Sequence, residues 1–96
     1  MAEIILHHNG RYNVYDTIMD GIRFESSISL EQLTELIRLE CGERGIDNLP
    51  ERLERAHAFG HSNPGGGTLD EFLSINRAGE DEEQLTTEEI IKRFLS

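Results

Sequence analysis

The sequence has few of the residues on which covalent and redox chemistry usually depend. Its 96 residues include one cysteine, Cys41, a single lysine, Lys92, and no tryptophan. One cysteine excludes an internal disulfide. A reactive thiolate needs a basic partner, whereas Cys41 is flanked by Glu40 and Glu43. We therefore interpret Cys41 as a small, partly buried apolar residue.

Long apolar runs are also missing. None approaches the roughly 20 residues that are needed to cross a bilayer. The opening segment MAEIILHH carries an acid and no basic cluster, which is not the pattern of a secretion signal. We therefore expect a cytoplasmic protein with no membrane partner, and the length predicts one domain over residues 1–96.

Positive charge is scarce. Nineteen acidic residues stand against nine lysines and arginines, which gives a net charge of −10 at pH 7. Such a chain repels nucleic acid and anionic lipid, and it has no basic stripe with which to neutralise phosphates. The charge therefore excludes direct nucleic-acid binding and favours a basic protein surface as the partner.

The first 28 residues have the pattern of a β-meander. Asn9-Gly10 and Asp20-Gly21 separate apolar runs, and such pairs are strong hairpin signals because both turn positions need positive φ. Two arrangements of the buried face remain open. A bulged second turn would place Ile22 and Phe24 beside Val14 and Ile18. Tight turns at both places, which we favour, align on one face Ile4, Leu6, Tyr15, Met19, Ile22 and Phe24.

Residues 29–96 have helical periodicity. Three segments begin with a capping box, at Ser29–Gln32, Thr68–Glu71 and Thr86–Glu89. Gly42 and Gly45 predict the end of a first helix, Pro50 lies in the first turn of a second, and Gly60 ends that one. We expect loops at 42–48, 60–67 and 77–86. The chain is thus predicted to be α+β, with three to four helices covering one face of a three-stranded antiparallel meander.

One stretch, HAFGHSNPGGGTLD at residues 57–70, resembles a binding site more than any other. Its glycine spacing matches part of a phosphate loop, but the position that needs lysine is Gly66. Asp70 and Glu71 would also repel a phosphate at the start of the next helix. We interpret the stretch as a link between helices. No metal site or cofactor is predicted, and if a metal is bound its ligands are Glu54, His57 and His61.

No complete catalytic set is present, since the chain has neither a nucleophile elbow nor a cysteine with a base. We predict a non-enzymatic interaction module that acts as an inhibitor, adaptor or regulatory subunit on a basic protein. One form of this hypothesis is a phage or mobile-element inhibitor that imitates nucleic acid and blocks a nucleic-acid-binding protein. The predicted contact residues are Glu31, Glu35, Glu40, Glu80, Asp81, Glu82, Glu83 and an exposed tyrosine, Tyr12.

Two alternatives belong to other functional classes. The first is a small metal- or nucleotide-dependent enzyme organised around residues 54–68. The second is a homo-oligomeric structural protein, or a homodimer, that forms through an unpaired edge of the sheet.

Overall fold

The computed structural model of the protein describes residues 3–96, apart from the side chain of Glu82. The first two residues of the predicted meander lie outside this range. The described chain forms a three-stranded antiparallel sheet of order β1-β2-β3, followed by three α-helices, so the predicted α+β fold is confirmed. The strands are β1 (Glu3–His8), β2 (Arg11–Asp16) and β3 (Gly21–Ile22). The helices are α1 (Leu30–Phe59), α2 (Leu69–Phe72) and α3 (Thr87–Phe94), with 3₁₀ turns at Leu73–Ile75 and Glu80–Glu82.

The first hairpin forms as its turn residues predict. Asn9 has φ 47° and Gly10 has φ 80°, the positive values that a two-residue hairpin turn requires. His8 consequently pairs with Arg11, and the ladder continues to Glu3 opposite Asp16. This turn sets the register of the two long strands.

The second turn differs from the prediction. Asp16 pairs with Gly21, so the connection is the four-residue loop 17–20 and not a tight Asp20-Gly21 turn. The Asp16 carboxylate accepts a hydrogen bond from the Ile18 amide at 2.9 Å, which stabilises the longer loop. Met19 is therefore 70% exposed, and its predicted place on the buried face is wrong.

The third strand leaves the sheet after two residues and returns later. The Ile28 backbone exchanges two hydrogen bonds with Tyr12, at 2.9 and 2.7 Å, while the intervening residues bulge outward. Asn13 is fully buried beneath this bulge. Its Oδ1 accepts from the amides of Val14 (2.8 Å) and Phe24 (3.2 Å), and its Nδ2 donates to the carbonyls of Phe24 (3.0 Å) and Phe94 (2.9 Å). One side chain thus joins the bulge to the end of α3.

The sheet is buried on both faces, whereas the sequence predicted a cover on one. Ile4, Leu6 and Tyr15 contact the C-terminal third of the chain, including Leu73 and Ile90. The opposite face contacts α1. Its core consists of Ile5, Tyr12, Val14, Leu33, Ile37, Leu49 and Ala56.

The predicted sheet face is only partly right for the third strand. Ile22 packs on the side of Ile4, Leu6 and Tyr15, as expected. Phe24 packs on the α1 side, because the bulge reverses the alternation of side chains.

Helix α1 replaces the predicted loop at 42–48. The chain breaks helical geometry at Gly42, with φ 64° and ψ −155°, and residues 43–49 are helical again. Glycine is also needed at position 45, where a Cβ would lie 2.4 Å from Cys41 Cβ. Pro50 consequently lies inside the helix and not in a first turn. Gly60 ends the helix with φ 84°, as predicted.

All three predicted capping boxes are confirmed, at Ser29, Thr68 and Thr86. The helix that begins after Thr68 is only one turn long and continues as a 3₁₀ turn to Ile75. It is shorter than the sequence predicted because Asn76 turns inward. Its Nδ2 donates to the Leu73 carbonyl at 2.7 Å and to the Leu85 carbonyl at 2.8 Å.

We expect the substitution Asn13→Ala to lower the free energy of unfolding by roughly 2–4 kcal/mol, because each buried group left without a partner costs about 1–3 kcal/mol. Urea denaturation measures the change. The exposed residue Asn48 provides the control, since Asn48→Ala removes the same group from a helix surface and should not destabilise the protein. Equal stability of the two variants would contradict the structural role of Asn13.

Candidate functional site

The loop after α1, which the sequence singled out, closes an edge of the sheet. The His7 amide donates to the Gly60 carbonyl at 3.0 Å, and the Ser62 amide donates to the Ile5 carbonyl at 2.9 Å. Leu6 and His61 form an antiparallel bridge between these bonds. The outer edge of β1 is therefore paired within the chain, and a dimer through that edge would have to displace residues 60–62.

His61 is fully buried and both of its ring nitrogens have partners. Nε2 lies 3.0 Å from the Gly67 carbonyl, and Nδ1 accepts from the Asn63 amide at 3.2 Å. These partners assign the proton to Nε2. The ring stacks on Phe72 at a centroid distance of 4.7 Å. His61 thus has no nitrogen lone pair left for a metal.

His57 forms a separate cluster with Tyr12 and His7. The Tyr12 hydroxyl is 2.7 Å from His57 Nε2, and the His7 and His57 rings are 4.4 Å apart. Tyr12 is only 3% exposed, so the expectation of an exposed contact tyrosine is wrong for this residue. Burial raises the pKa of its hydroxyl.

The three candidate metal ligands, Glu54, His57 and His61, are not brought together. Across residues 3–96 with described side chains, no group of three or more acidic, histidine or cysteine residues could hold a metal ion. His57 is engaged by Tyr12 and His61 by its own loop. The geometry therefore gives no support to a metal centre built from these residues.

The start of α2 is equally unsuited to phosphate. The Glu71 amide donates to Thr68 Oγ1 at 3.1 Å, and the Glu71 carboxylate accepts from the Thr68 amide at 3.4 Å. These bonds occupy donors that an anion would need, and they place a negative charge beside them. The glycine-rich stretch connects two helices and closes the edge of β1.

Two of the predicted contact carboxylates are paired with arginines of the same chain. The Arg23 guanidinium binds Glu3 at 3.0 Å and also binds Glu40, and it holds the pKa of the Glu40 carboxyl below its usual range. Arg38 binds Glu35 at 3.0 Å. Glu35 and Glu40 therefore offer less free negative charge to a partner than their positions suggested, whereas Glu31 is exposed in the first turn of α1.

The acidic turn at residues 80–83 is different. Glu80, Asp81 and Glu83 are exposed, and none of them forms an ion pair with a basic side chain in the described part of the protein. Residues 78–89 contain six carboxylates and no lysine or arginine. The predicted contact residue Glu82 belongs to the same turn, but its side chain lies outside the described residues.

Buried hydrogen bonds position this turn. Asn76 is 1% exposed, and its Oδ1 accepts from the Leu85 amide at 2.9 Å. The Gly79 amide donates to the Glu83 carbonyl at 2.9 Å and closes the turn. The carboxylates are therefore displayed from a fixed backbone. Asn76 was not recognised from the sequence, because its partner Leu85 lies nine residues further along the chain and no local pattern indicates such a hydrogen bond.

Exposed apolar side chains lie in two segments that a backbone hydrogen bond joins, and one of these segments leads into the acidic turn. Ile75 is 66% exposed, and Ile18 is 79% exposed in the loop after β2. The Arg77 amide donates to the Asp20 carbonyl, which joins the two segments that carry these residues. We call the following set the acidic–apolar surface: Ile18, Met19, Ile75, Glu80, Asp81 and Glu83. Its apolar half was not predicted.

Comparison of the chain with protein-family models, curated proteins and solved structures finds no match. Within residues 3–96, no helix combines the length and the apolar character needed to cross a membrane. Assignment of a function therefore depends on the geometry of this chain alone.

His7 gives the fold a dependence on pH. Its pKa is lowered from the ordinary value of 6.5 by burial first, and then by the charges of His57 and His8. The Gly10 amide donates to His7 Nε2 at 3.1 Å, which also favours the neutral ring. The unfolded chain therefore binds a proton near pH 6.5 that the folded chain resists, so stability is lost as the pH falls through this range.

We expect His7→Gln to lose less stability than the native protein between about pH 7.5 and pH 5.5, because glutamine does not titrate. Urea denaturation at both pH values measures the difference. The substitution Asn48→Ala, which removes no titratable group, is the control and should retain the native pH dependence. Identical pH dependence of the native protein and His7→Gln would show that His7 does not titrate as described.

Proposed function

We propose that the protein is a non-enzymatic interaction module that binds a basic protein through the acidic–apolar surface. The supporting observation is that the exposed carboxylates of Glu80, Asp81 and Glu83, which have no ion-pair partner among the described residues, follow the exposed Ile75 in the chain. A backbone hydrogen bond joins this segment to the loop that carries Ile18 and Met19. Apolar side chains supply affinity when a partner buries them, and charges around them select the partner and its orientation. A basic partner with an apolar centre matches both halves of the surface.

The distribution of charge supports the same surface. Arg23 and Arg38 reduce the free charge of the α1 carboxylates, whereas the region 78–89 contains no basic residue. Glu80, Asp81 and Glu83 have no ion-pair partner among the described residues and therefore keep more of their negative charge than Glu35 and Glu40 do; the nearest basic residue in the sequence is Arg77. Negative potential steers a basic partner and raises the rate of encounter.

The proposal covers several biological forms. An inhibitor, an adaptor or a regulatory subunit would each act through this contact, and an inhibitor that imitates nucleic acid is one of them. Core side chains cover both faces of the sheet. The proposed partner would therefore bind to residues on the outer surface of the protein. We place the protein in the cytoplasm, where a free thiol such as Cys41 stays reduced.

The partner is identified by site-specific crosslinking. A photoreactive amino acid replaces Ile75 in one protein and Leu39, a 77% exposed residue of α1, in the control. Both are added to extract of the cell that makes the protein. The proposal requires a basic protein that crosslinks from position 75 and not from position 39. Equal crosslinking from both positions would contradict it.

Once the partner is identified, its association can be measured with the combined substitution Glu80→Gln, Asp81→Asn and Glu83→Gln. We expect this variant to associate roughly tenfold more slowly, with an association rate that depends less on salt concentration. Stopped-flow kinetics at several ionic strengths measure both effects.

A matched control makes the same chemical changes on α1, at Glu43→Gln, Asp47→Asn and Glu54→Gln, which are exposed. This variant alters the net charge equally, so the two proteins differ only in where the charge is lost. If both variants slow association to the same extent, the effect belongs to net charge and the acidic–apolar surface is not the contact.

A further inference from the structure

A concave site of about 560 Å³ lies between α1, the start of β1 and the segment 62–64. Its volume falls within the range of about 300–1,000 Å³ that is typical of small-molecule sites. It shares no residue with the acidic–apolar surface, so it is independent of the function proposed above. We call it the arginine cavity, after Arg44, Arg52 and Arg55 in its wall.

The three arginines follow one helical face. Together with Asn48 they occupy positions 44, 48, 52 and 55, which are spaced by three or four residues along α1 and therefore lie above one another. They are three of only nine lysines and arginines in a chain of net charge −10. One third of the cationic side chains thus line a single cavity.

The charges in the wall have little internal compensation. None of the three guanidinium groups lies within 4.0 Å of a carboxylate in the described part of the chain. Arg52 donates to the Glu3 carbonyl at 3.3 Å, and Arg55 donates through Nε to the Ser62 carbonyl at 2.9 Å. These contacts fix the side chains and leave other N–H groups of each fork available.

Two carboxylates, Glu3 and Glu51, also line the cavity, and the charge of Glu3 acts on Arg52. Glu3 is bound to Arg23 at 3.0 Å, and Glu51 is exposed. Arg52 is only partly exposed, and burial lowers the pKa of its guanidinium. An arginine nevertheless stays charged near neutral pH, and a partly desolvated charge gains more from an anion than an exposed one does.

We propose that the arginine cavity binds a small organic anion whose carboxylate or phosphate group pairs with Arg44, Arg52 and Arg55. Planar guanidinium forks recognise both oxyanions through two parallel hydrogen bonds. Ile4 and Pro64 provide apolar contacts for the rest of the molecule, and Asn48 and Ser62 add polar groups. The ligand therefore combines one oxyanion with a compact apolar part.

Two probes that share a phenyl ring test the site, phenyl phosphate and benzoate, with phenol as the neutral control. Each is titrated at constant ionic strength to about 20 mM, which is well above a Kd of 1 mM. Arginine Nε–Hε NMR signals report binding. Saturable shifts of the Arg52 and Arg55 signals are expected with at least one anion and not with phenol, and the tighter anion identifies the preferred group. No saturable shift with either anion would overturn the proposal.

Variants test whether anion binding depends on the arginines of the cavity or only on the total positive charge of the protein. Arg44 is exposed, so Arg44→Gln should weaken binding of the tighter probe by roughly threefold, because solvent screens part of its charge. The matched control Arg38→Gln removes the same charge from an exposed position of α1 outside the cavity, and should change the Kd by less than about twofold. Equal weakening by both would overturn the proposal.

A second cavity variant, Arg52→Lys, keeps the charge and loses the fork. It should bind the probe more weakly than the native protein does. Native affinity in both Arg44→Gln and Arg52→Lys would also overturn the site.

Discussion

The buried carboxamide of Asn13 is the contact on which the arrangement of the other elements depends. It lies on the central strand, where the chain needs to bulge between β3 and Ile28, and it supplies hydrogen bonds that a regular ladder would have made. The same group donates to the Phe94 carbonyl at the end of α3. Sheet, bulge and C-terminal helix are therefore positioned by one side chain with every polar atom satisfied.

The sheet carries helices on both faces. The α1 side and the α3 side each contribute a cluster of buried side chains, so the interior of this short chain is taken up by packing. Binding groups are left to the outside, where the chain separates its charges. Among the described residues, Glu80, Asp81 and Glu83 are exposed and form no ion pair, and Arg44, Arg52 and Arg55, which also form none there, line one cavity beside α1.

Local sequence patterns predicted the features that local physics determines. The Asn9-Gly10 turn and the capping boxes at Ser29, Thr68 and Thr86 depend on residues within three positions of one another, and all formed as expected. Two failures are local, since the loop 17–20 replaces a tight Asp20-Gly21 turn and residues 43–49 are helical. The others involve distant contacts. The bridge between Leu6 and His61 joins residues 55 positions apart, and no periodicity marks it.

The candidate site was also predictable only where it depends on residues close together in the sequence. The acidic turn was visible as a run of carboxylates, whereas the pairing of Glu40 with Arg23 depends on how α1 crosses the sheet. The sequence did not single out Ile75, which lies at the end of a short 3₁₀ turn and is 66% exposed. The spacing of Arg44, Arg52 and Arg55 was present in the sequence, but the concave surface around them is formed by β1 and residues 62–64.

Native-state hydrogen exchange of the Val14 and Phe24 amides tests the role of Asn13 most directly, because both donate to Asn13 Oδ1. If this contact holds the fold together, the two amides exchange only when the whole chain unfolds. Their exchange free energies then equal the global free energy of unfolding from urea denaturation. Exchange of Phe24 through a local opening of much lower free energy, with the core still protected, would contradict the account.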